Sequence, residues 1–406
     1  MPEPRATPVD ETSVRDADLR AELEAARGSP EFPDILRYLV ARQAMRDRGE
    51  GAPVATTSPD DPEVRDADLR ERLARYIADR RFYSMIREQV VREQQARDAK
   101  ARHLASLGPL ARRREEVRDA LDAELTDADR YHLHSVLALC GLPYKKPPEG
   151  ESDYVREYGR SSLVVQAGFL KDPNSGKMVK QGLPYGPKAR LLLLHICTMA
   201  VRQNSHEIEV ADSMSAFIRE LGFDVTGGPR GTITQFKEQL HRLAAARMQI
   251  GLWRGNKTTT ISTQPIEAFE VWLPSHPDQR VLWNTKLYMD EKFFRTLKEH
   301  ALPIDIRAVR AFANSAKQID ILLWLVYRLR HVERPLSLSW DNLKQQFGRD
   351  VTSRDRKFRQ SFADDLKHIQ EVYPNLRLQV SEKGVIFHPT DGKALLAPQK
   401  RALKRP

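Results

Sequence analysis

Cysteine is almost missing from this chain: Cys140 and Cys197 are the only two in 406 residues. Both sit in helical apolar patterns, which excludes a disulfide framework and suits a reducing compartment. Long apolar runs are missing as well. The longest, around Leu191–Val201 and Ile321–Tyr327, fall well short of the roughly 20 residues that span a bilayer. The opening MPEPRATPVD has no charged-then-apolar signal pattern. A soluble cytoplasmic protein without a membrane partner is therefore expected. Catalytic groupings are equally scarce: no Ser-His-Asp set, zinc-type Cys/His cluster or paired-carboxylate arrangement stands out. Gly222 and Gly227 have the spacing of a nucleotide-binding P-loop, but Gly228 stands where lysine is required. Neither cofactor nor metal is expected, and the chain reads as a binding protein, not an enzyme.

Charge is abundant and unevenly placed. The net charge is +10. Residues 1–150 hold 26 Lys+Arg against 29 Asp+Glu, a net of −3, which leaves 40 against 27, a net of +13, for the remainder. All the positive excess thus belongs to the C-terminal two-thirds. A merely soluble basic surface is one explanation; an electrostatic footprint for a polyanion is the stronger one.

The composition divides the chain into a helical region (1–142), a linker (143–153), two modules (154–300 and 301–390) and a basic tail (391–406), which reads first as a disordered end and second as a source of non-specific phosphate contact. The helical region carries a repeat. VRDADLR occurs at Val14–Arg20 and Val64–Arg70, each followed by a leucine three residues on, and VRDALDAEL at Val117–Leu125 resembles a third, degenerate copy. The pairs Leu19/Leu23 and Leu69/Leu73 make narrow apolar stripes on charged helices, as in an accessory bundle or an oligomerisation arm. The stretch TTSPDDP (Thr56–Pro62) reads as a linker. A long helix is expected from about Glu63 past Arg102 with at most one break, and another over 128–140, started by Thr126 or Asp127 and stopped by Gly141.

Beyond the linker the grammar changes. Short strands are expected at Ser162–Ala167 and Lys177–Lys180 around the turn DPNSG. They are followed by a helix from Pro187 to Asn204, a strand at His206–Val210 and a helix at Ser213–Leu221. A Gly-rich loop, a helix over 233–248 and β structure over 261–273 complete the unit. The same order recurs as a helix over 305–332, a helix from Ser339 to Phe347, a basic helix over 354–372 and a hairpin at Leu376–His388 joined by SEKG. Helix, strand, helix, turn, helix and β-ribbon is the order of a winged helix-turn-helix. The expected fold is therefore α+β, mainly helical, with tandem winged helix-turn-helix domains behind a helical N-terminal region.

Each module carries one basic amphipathic helix. In the second, Phe358, Phe362, Leu366 and Ile369 share an inward arc. Arg356, Gln360 and Lys367 project opposite, with Lys357 beside them and Arg354 and Arg359 adding charge. Arg, Lys and Gln read guanine and adenine edges when a helix lies in the major groove. Arg354, Arg356, Lys357, Arg359 and Gln360 are thus candidate DNA contacts, while Asp364 and Asp365 would repel phosphate. In the first, Ile233, Phe236, Leu240 and Leu243 face inward and Thr234, Gln235, Glu238 and Arg242 outward. Thr232 with Gln235 has the spacing of a capping box, and Arg230 with the Gly227–Gly231 backbone could meet a phosphate. Arg230, Thr234, Gln235 and Arg242 complete the candidate set, with Glu238 weakening this helix as a reader.

One enzymatic reading competes. His132-Leu133-His134 resembles the metal motif of rolling-circle nickases, and Tyr288-Met-Asp-Glu-Lys292 their nucleophile. Histidines two apart share a face on a strand, whereas the expected helix over Tyr131–Cys140 would point them about 200° apart, which argues against it.

The stretches LVVQAGFLKDPNSGK, QGLPYGPKARLLLLHICT, DSMSAFIRELGF, TGGPRGTITQFKEQLHRLAA and LSLSWDNLKQQFG together resemble the plasmid-encoded RepA replication initiator family between about Arg160 and Pro389. The N-terminal repeats lie outside the resemblance. It implies an initiator that binds direct repeats of double-stranded DNA at a plasmid origin, opens adjacent DNA and recruits host replication proteins. It also implies a form that represses its own gene as a homodimer. It carries no catalytic residues. The alternative is a sequence-specific transcriptional regulator built from the same modules.

Overall fold

The structure is a computed structural model that describes residues 10–28, 32–48, 61–75, 80–172, 175–209, 218–219, 222–254, 256–269, 286–329, 332–348 and 355–389. The chain forms two compact units, residues 1–108 and 109–406. Helix is the commoner element in an α+β fold.

The first unit is two helix pairs. Helices α1 (Ala17–Ala25) and α2 (Phe32–Asp47) bury Val14, Leu19 and Leu23 against Ile35, Leu36 and Leu39. Helices α3 (Ala67–Ala74) and α4 (Arg80–Ser106) bury Val64, Leu69 and Leu73 against Tyr83, Ile86 and Val90. The i, i+4 leucine pairs form the buried stripes, as their spacing requires. In both copies the Val-Arg-Asp triplet precedes the helix, and Asp16 and Asp66 are extended N-cap residues with ψ 135°.

The third copy proves different in kind. Val117–Leu121 lies inside helix α5 (Pro109–Leu121), so its Val-Arg-Asp cannot adopt the extended cap. Helix α5 belongs to the second unit, where Arg114 pairs with Glu371 at 2.6 Å and Arg307 donates to the carbonyl of Ala120 at 2.9 Å.

The helix expected over 128–140 is not formed as such. Residues Arg130–His134 are strand β1, paired antiparallel with Ala301–Asp305, and only Ser135–Leu139 is helical, as α6. Tyr131 and Leu133 alternate inward and face Ile304 and Leu302 across the ribbon. A short apolar run fits strand and helix periods alike, so its partner strand decides the outcome.

Strands β2 (Asp153–Tyr158) and β3 (Ser161–Gln166) open the next segment, and β4 (Phe169–Lys171) pairs with β5 (Met178–Lys180) around the expected turn. Helix α7 (Gly186–Gln203) is apolar almost throughout and ends at Asn204, whose φ of 48° turns the chain back. Strand β6 (Glu207–Glu209) follows. Of the helix expected at Ser213–Leu221, only Ile218 and Arg219 are described, and both are helical.

Helix α8 (Thr232–Ala245) is shorter than expected because Met248 and Ile250 alternate within strand β7 (Arg247–Arg254), which pairs with β8 (Lys257–Thr263). The sheet order is β2-β3-β7-β8. Strands β9 (Ala268–Phe269) and β10 (Lys286–Tyr288) join β6 in a second sheet, in the order β6-β10-β9; residues 270–285 lie outside the described residues.

Helix α9 (Glu291–His300) leads into β11 (Ala301–Asp305), the partner of β1. The helix expected over 305–332 is two helices, α10 (Ile306–Ala311) and α11 (Ala316–Leu329), because Asp305 caps the first and Ser315 the start of the second. Then come β12 (Leu336–Ser339), α12 (Trp340–Phe347), α13 (Asp355–Val372), β13 (Leu378–Val380) and β14 (Gly384–Phe387). The sheet order is β12-β14-β13.

One continuous apolar core runs through the second unit from Tyr131 to Phe387. Within it Arg190 makes a bidentate pair with Asp320 at 2.6 and 2.7 Å, both side chains under a tenth exposed, and donates to the carbonyls of Leu142, Pro143 and Gly186. This bridge fixes α7 to α11, and so one helix set to the other.

Candidate nucleic-acid interface

Helix α13 is an amphipathic cylinder with a fully buried inner face. Phe358, Phe362, Leu366 and Ile369 are at most 1% exposed, as the 3.6-residue spacing predicts. Phe362 stacks with Phe358 at 5.6 Å between centroids and lies 5.2 Å from Phe347; Trp324 meets Phe347 and Phe387 edge-on. This aromatic cluster holds the helix by its back and leaves the front to solvent.

On that front, Arg356, Lys357, Arg359 and Gln360 are exposed. Arg356, Lys357 and Arg359 make no hydrogen bond or ion pair among the described residues. Gln360 donates to Asp364 at 3.1 Å. Arg354 lies outside the described residues. Asp355 pairs with Lys344 of α12, which ties the start of α13 to the preceding helix and lowers the Asp355 carboxyl pKa. Asp365 was expected to repel phosphate, but it turns inward. It pairs with Lys317 at 2.8 Å and accepts from Gln318 at 2.9 Å. Lys317 in turn lies over the rings of Phe358 and Phe362. Of the two acids, Asp364 is the one that stays exposed.

Helix α8 is a different surface. Its inner face carries Phe236, Leu240 and Leu243 as expected, with Gln239 also buried, where it accepts from the backbone of Tyr185. The capping box is not made. Gly231 is the N-cap, Thr226 accepts from the amide of Thr232 at 2.9 Å, and Gln235 donates back to the carbonyl of Arg230 at 2.8 Å. The loop thus closes on itself through Thr226, which also engages the Ile233 amide. Thr234 is exposed, with its hydroxyl donating to Gly228, and Arg230 is exposed at the loop's end.

Arg242 does not face out. Its side chain is 12% exposed, pairs with Glu238 at 2.8 Å, donates to the Leu183 carbonyl at 3.0 Å and covers the ring of Tyr185. A helical wheel places Arg242 outward but cannot show that Tyr185, 57 positions earlier, packs against that face. The exposed part of the candidate set therefore narrows to Arg356, Lys357, Arg359 and Gln360 on α13 and to Arg230, Thr234 and part of Gln235 at the start of α8.

The structure adds a side chain that the sequence reading missed. Trp253, 53% exposed, stands near the end of the β7–β8 hairpin, two positions from Gly255-Asn256, opposite Thr258 and close to exposed Lys257. The alternation Met248, Ile250, Leu252 followed by Gly-Asn is a hairpin signal, masked by the helical period that leads up to Met248.

The nickase motifs come out differently from the sequence argument. His132 and His134 share one face of β1, so the helical objection falls. His134 is closed in by a stacked Phe293 at 5.6 Å and by His300, and its Nδ1 accepts from the Val136 amide. Tyr288 belongs to a different sheet, its hydroxyl 3.5 Å from Glu207. Among the described residues no group of three or more His, Cys, Asp or Glu side chains is placed to hold a metal, and no helix is long and apolar enough to cross a membrane.

Comparison with solved structures finds crystal structures of domains 2 and 3 of RctB. One, of selenomethionine derivatives, has 10% identity over 58% of this chain and 85% of that chain, with a TM-score of 0.39. The other has 10% identity over 64% of this chain and 99% of that chain, with a TM-score of 0.42. No curated protein matches the chain. The family model described as "Plasmid encoded RepA protein" matches residues 183–342, from the turn before α7 to the start of α12. Over that span the chain is similar to the plasmid-encoded RepA proteins.

Proposed function

We propose that this chain is a plasmid replication initiator. It acts in the cytoplasm by gripping double-stranded DNA, without a catalytic step, cofactor or metal. The observation that carries the reading is the RepA family match over residues 183–342. Two features support it: the +13 net charge beyond residue 150 and the exposed, unpaired Arg356, Lys357 and Arg359 on α13.

In this reading α11, β12, α12, α13 and the β13–β14 hairpin form one winged helix-turn-helix. Helix α7, strand β6, the segment around Ile218, helix α8 and the β7–β8 hairpin form another. Helix α13 enters a major groove by its N-terminal half, where Arg356, Lys357 and Gln360 meet base edges. Two such modules on one rigid core suit successive grooves about one turn, ~10.5 bp, apart, and so direct repeats at an origin. Opening of adjacent DNA, recruitment of host replication proteins and autorepression by a dimer follow from the same family reading.

The test is a nuclease footprint of the purified chain on DNA flanking its own gene at near-physiological salt. Several evenly spaced, directly repeated protected sites beside an AT-rich stretch are expected. Protection of a single inverted repeat over a promoter would make it a transcriptional regulator instead, and a covalent adduct through Tyr288 would make it a nickase.

A further inference from the structure

The VRDADLR motif has a partner sequence that only the structure reveals. In the first copy, Gln43 Oε1 accepts from the backbone amides of Arg15 and Asp16 at 3.0 and 2.9 Å. In the second, Gln94 Oε1 accepts from Arg65 and Asp66, both at 2.9 Å. Arg46 reaches Asp16 and Asp18 at 2.8 and 2.7 Å; Arg97 reaches Asp66 and Asp68, both at 2.8 Å. Arg20 donates to the Val14 carbonyl and Arg70 to that of Val64. Arg15 pairs with Asp47, Arg65 with Asp98. Each motif is thus clasped by a Gln-x-x-Arg-Asp on the following helix, Gln43–Asp47 or Gln94–Asp98.

Identical clasps in one chain create a pairing problem. Every contact above is the same in both copies, so none of them can tell one motif from the other. A motif could dock on the wrong helix, in its own chain or in a second copy, as in domain swapping.

One position differs in a telling way. In the first copy the motif helix supplies the acid and the receiver the base. Glu22 pairs with Arg42 at 2.9 Å, their side chains 8% and 11% exposed. In the second copy the polarity is inverted: Arg72 of the motif helix pairs with Glu93 of the receiver at 3.1 Å. These are matching sites, each three residues after the motif's first leucine and one before the receiver's glutamine. A crossed pairing would set Glu22 against Glu93, or Arg72 against Arg42. In the first module that like-charge contact would be nearly buried, where an uncompensated charge is most costly.

We propose that Glu22–Arg42 and Arg72–Glu93 act as a charge-coded address that restricts each VRDADLR motif to its own receiver helix. The residue class that would recognise a motif in trans is therefore defined: a second copy of this chain exchanges like modules only, first with first and second with second.

The test uses the full chain. Glu22→Arg and Arg42→Glu each lower the thermal unfolding temperature, and the double reversal restores most of the loss. The Glu22→Arg/Arg72→Glu variant then gives each motif the other's address. Cysteines at Asp18 and Arg46 report the original pairing, those at Asp18 and Arg97 the crossed one, through a short bis-maleimide. Linkage is expected to move from the first pair to the second in that variant, within a chain or between chains as band size on a denaturing gel shows. Additive effects of the single and double reversals, with crosslinks that stay on the original receiver, would overturn the proposal.

Discussion

Arg242 and Arg356 are both cations on basic helices, yet their surroundings assign them opposite phenotypes. Arg356 is exposed and unpaired, so Arg356→Ala should leave thermal stability unchanged. It should weaken binding to a specific site by about 1–3 kcal/mol more than to random DNA. Arg242 is packed on Tyr185 and bound to Glu238 and Leu183; Arg242→Ala should lower stability and reduce both kinds of binding alike. Titrations on the two DNAs at one salt concentration separate these outcomes, and equal losses for Arg356→Ala would remove it from the reader set. Asp320 poses the buried version of the question. Asp320→Ala leaves Arg190 charged and enclosed without its bidentate partner. Breaking such a pair costs about 3–5 kcal/mol, which denaturant unfolding would register as a lower midpoint at unchanged slope.

At the scale of elements, the sequence was most legible where one period repeated over several turns. The inner arcs of α8 and α13 are occupied by the very residues that the 3.6-residue spacing selects. It was least legible where pairing across long separations decides. Strand β1 takes its identity from β11, some 170 residues later, and Tyr131–Leu133 has too few turns to declare a period. The inward turn of Arg242 and Asp365 was hidden for the same reason, since Tyr185 and Lys317 come from other elements.

Turn chemistry was the reliable middle ground. The SEKG hairpin between β13 and β14 formed where Gly384 allowed it. Gly384 has φ +155°, and a Cβ there would run into the Leu338 carbonyl of β12. Gly384→Ala should therefore unseat β12 from its three-stranded sheet at a cost of about 1–3 kcal/mol, the range of strain at special backbone positions. Hydrogen exchange at Leu336–Ser339 should speed up before that of α11, and uniform acceleration throughout the unit would refute a local effect.

At the scale of the whole molecule, the two units should lose stability in different pH ranges. The second unit holds a buried histidine, His134, and a half-buried one, His132. Desolvation against Phe293, helped by nearby His300, lowers His134 to about 4 from an ordinary 6.5, and desolvation with Arg202 and Arg130 lowers His132 to about 4. Between pH 6.5 and 4 the unfolded chain binds protons that the folded unit refuses, so folded-state stability is full above 6.5 and falls as pH drops through that window. For His134 the loss is of order 3 kcal/mol when complete.

The first unit has no such buried histidine among its described residues. Its clasps rest on carboxylates held low by arginine: Asp18 sits at about 2 beside Arg46, and Asp16, Asp66 and Asp68 are likewise depressed. Their contribution is present above the ordinary carboxylate pKa of 3.8 and is lost only as pH falls through the lowered values. Thermal unfolding at pH 7.0, 5.0 and 3.0 should accordingly show the transition of residues 109–406 moving down already at pH 5.0, while that of residues 1–108 holds until pH 3.0. His134→Asn should flatten the first shift without touching the second. A chain whose two transitions move together between pH 7.0 and 5.0 would mean that His132 and His134 do not set the acid limit of residues 109–406.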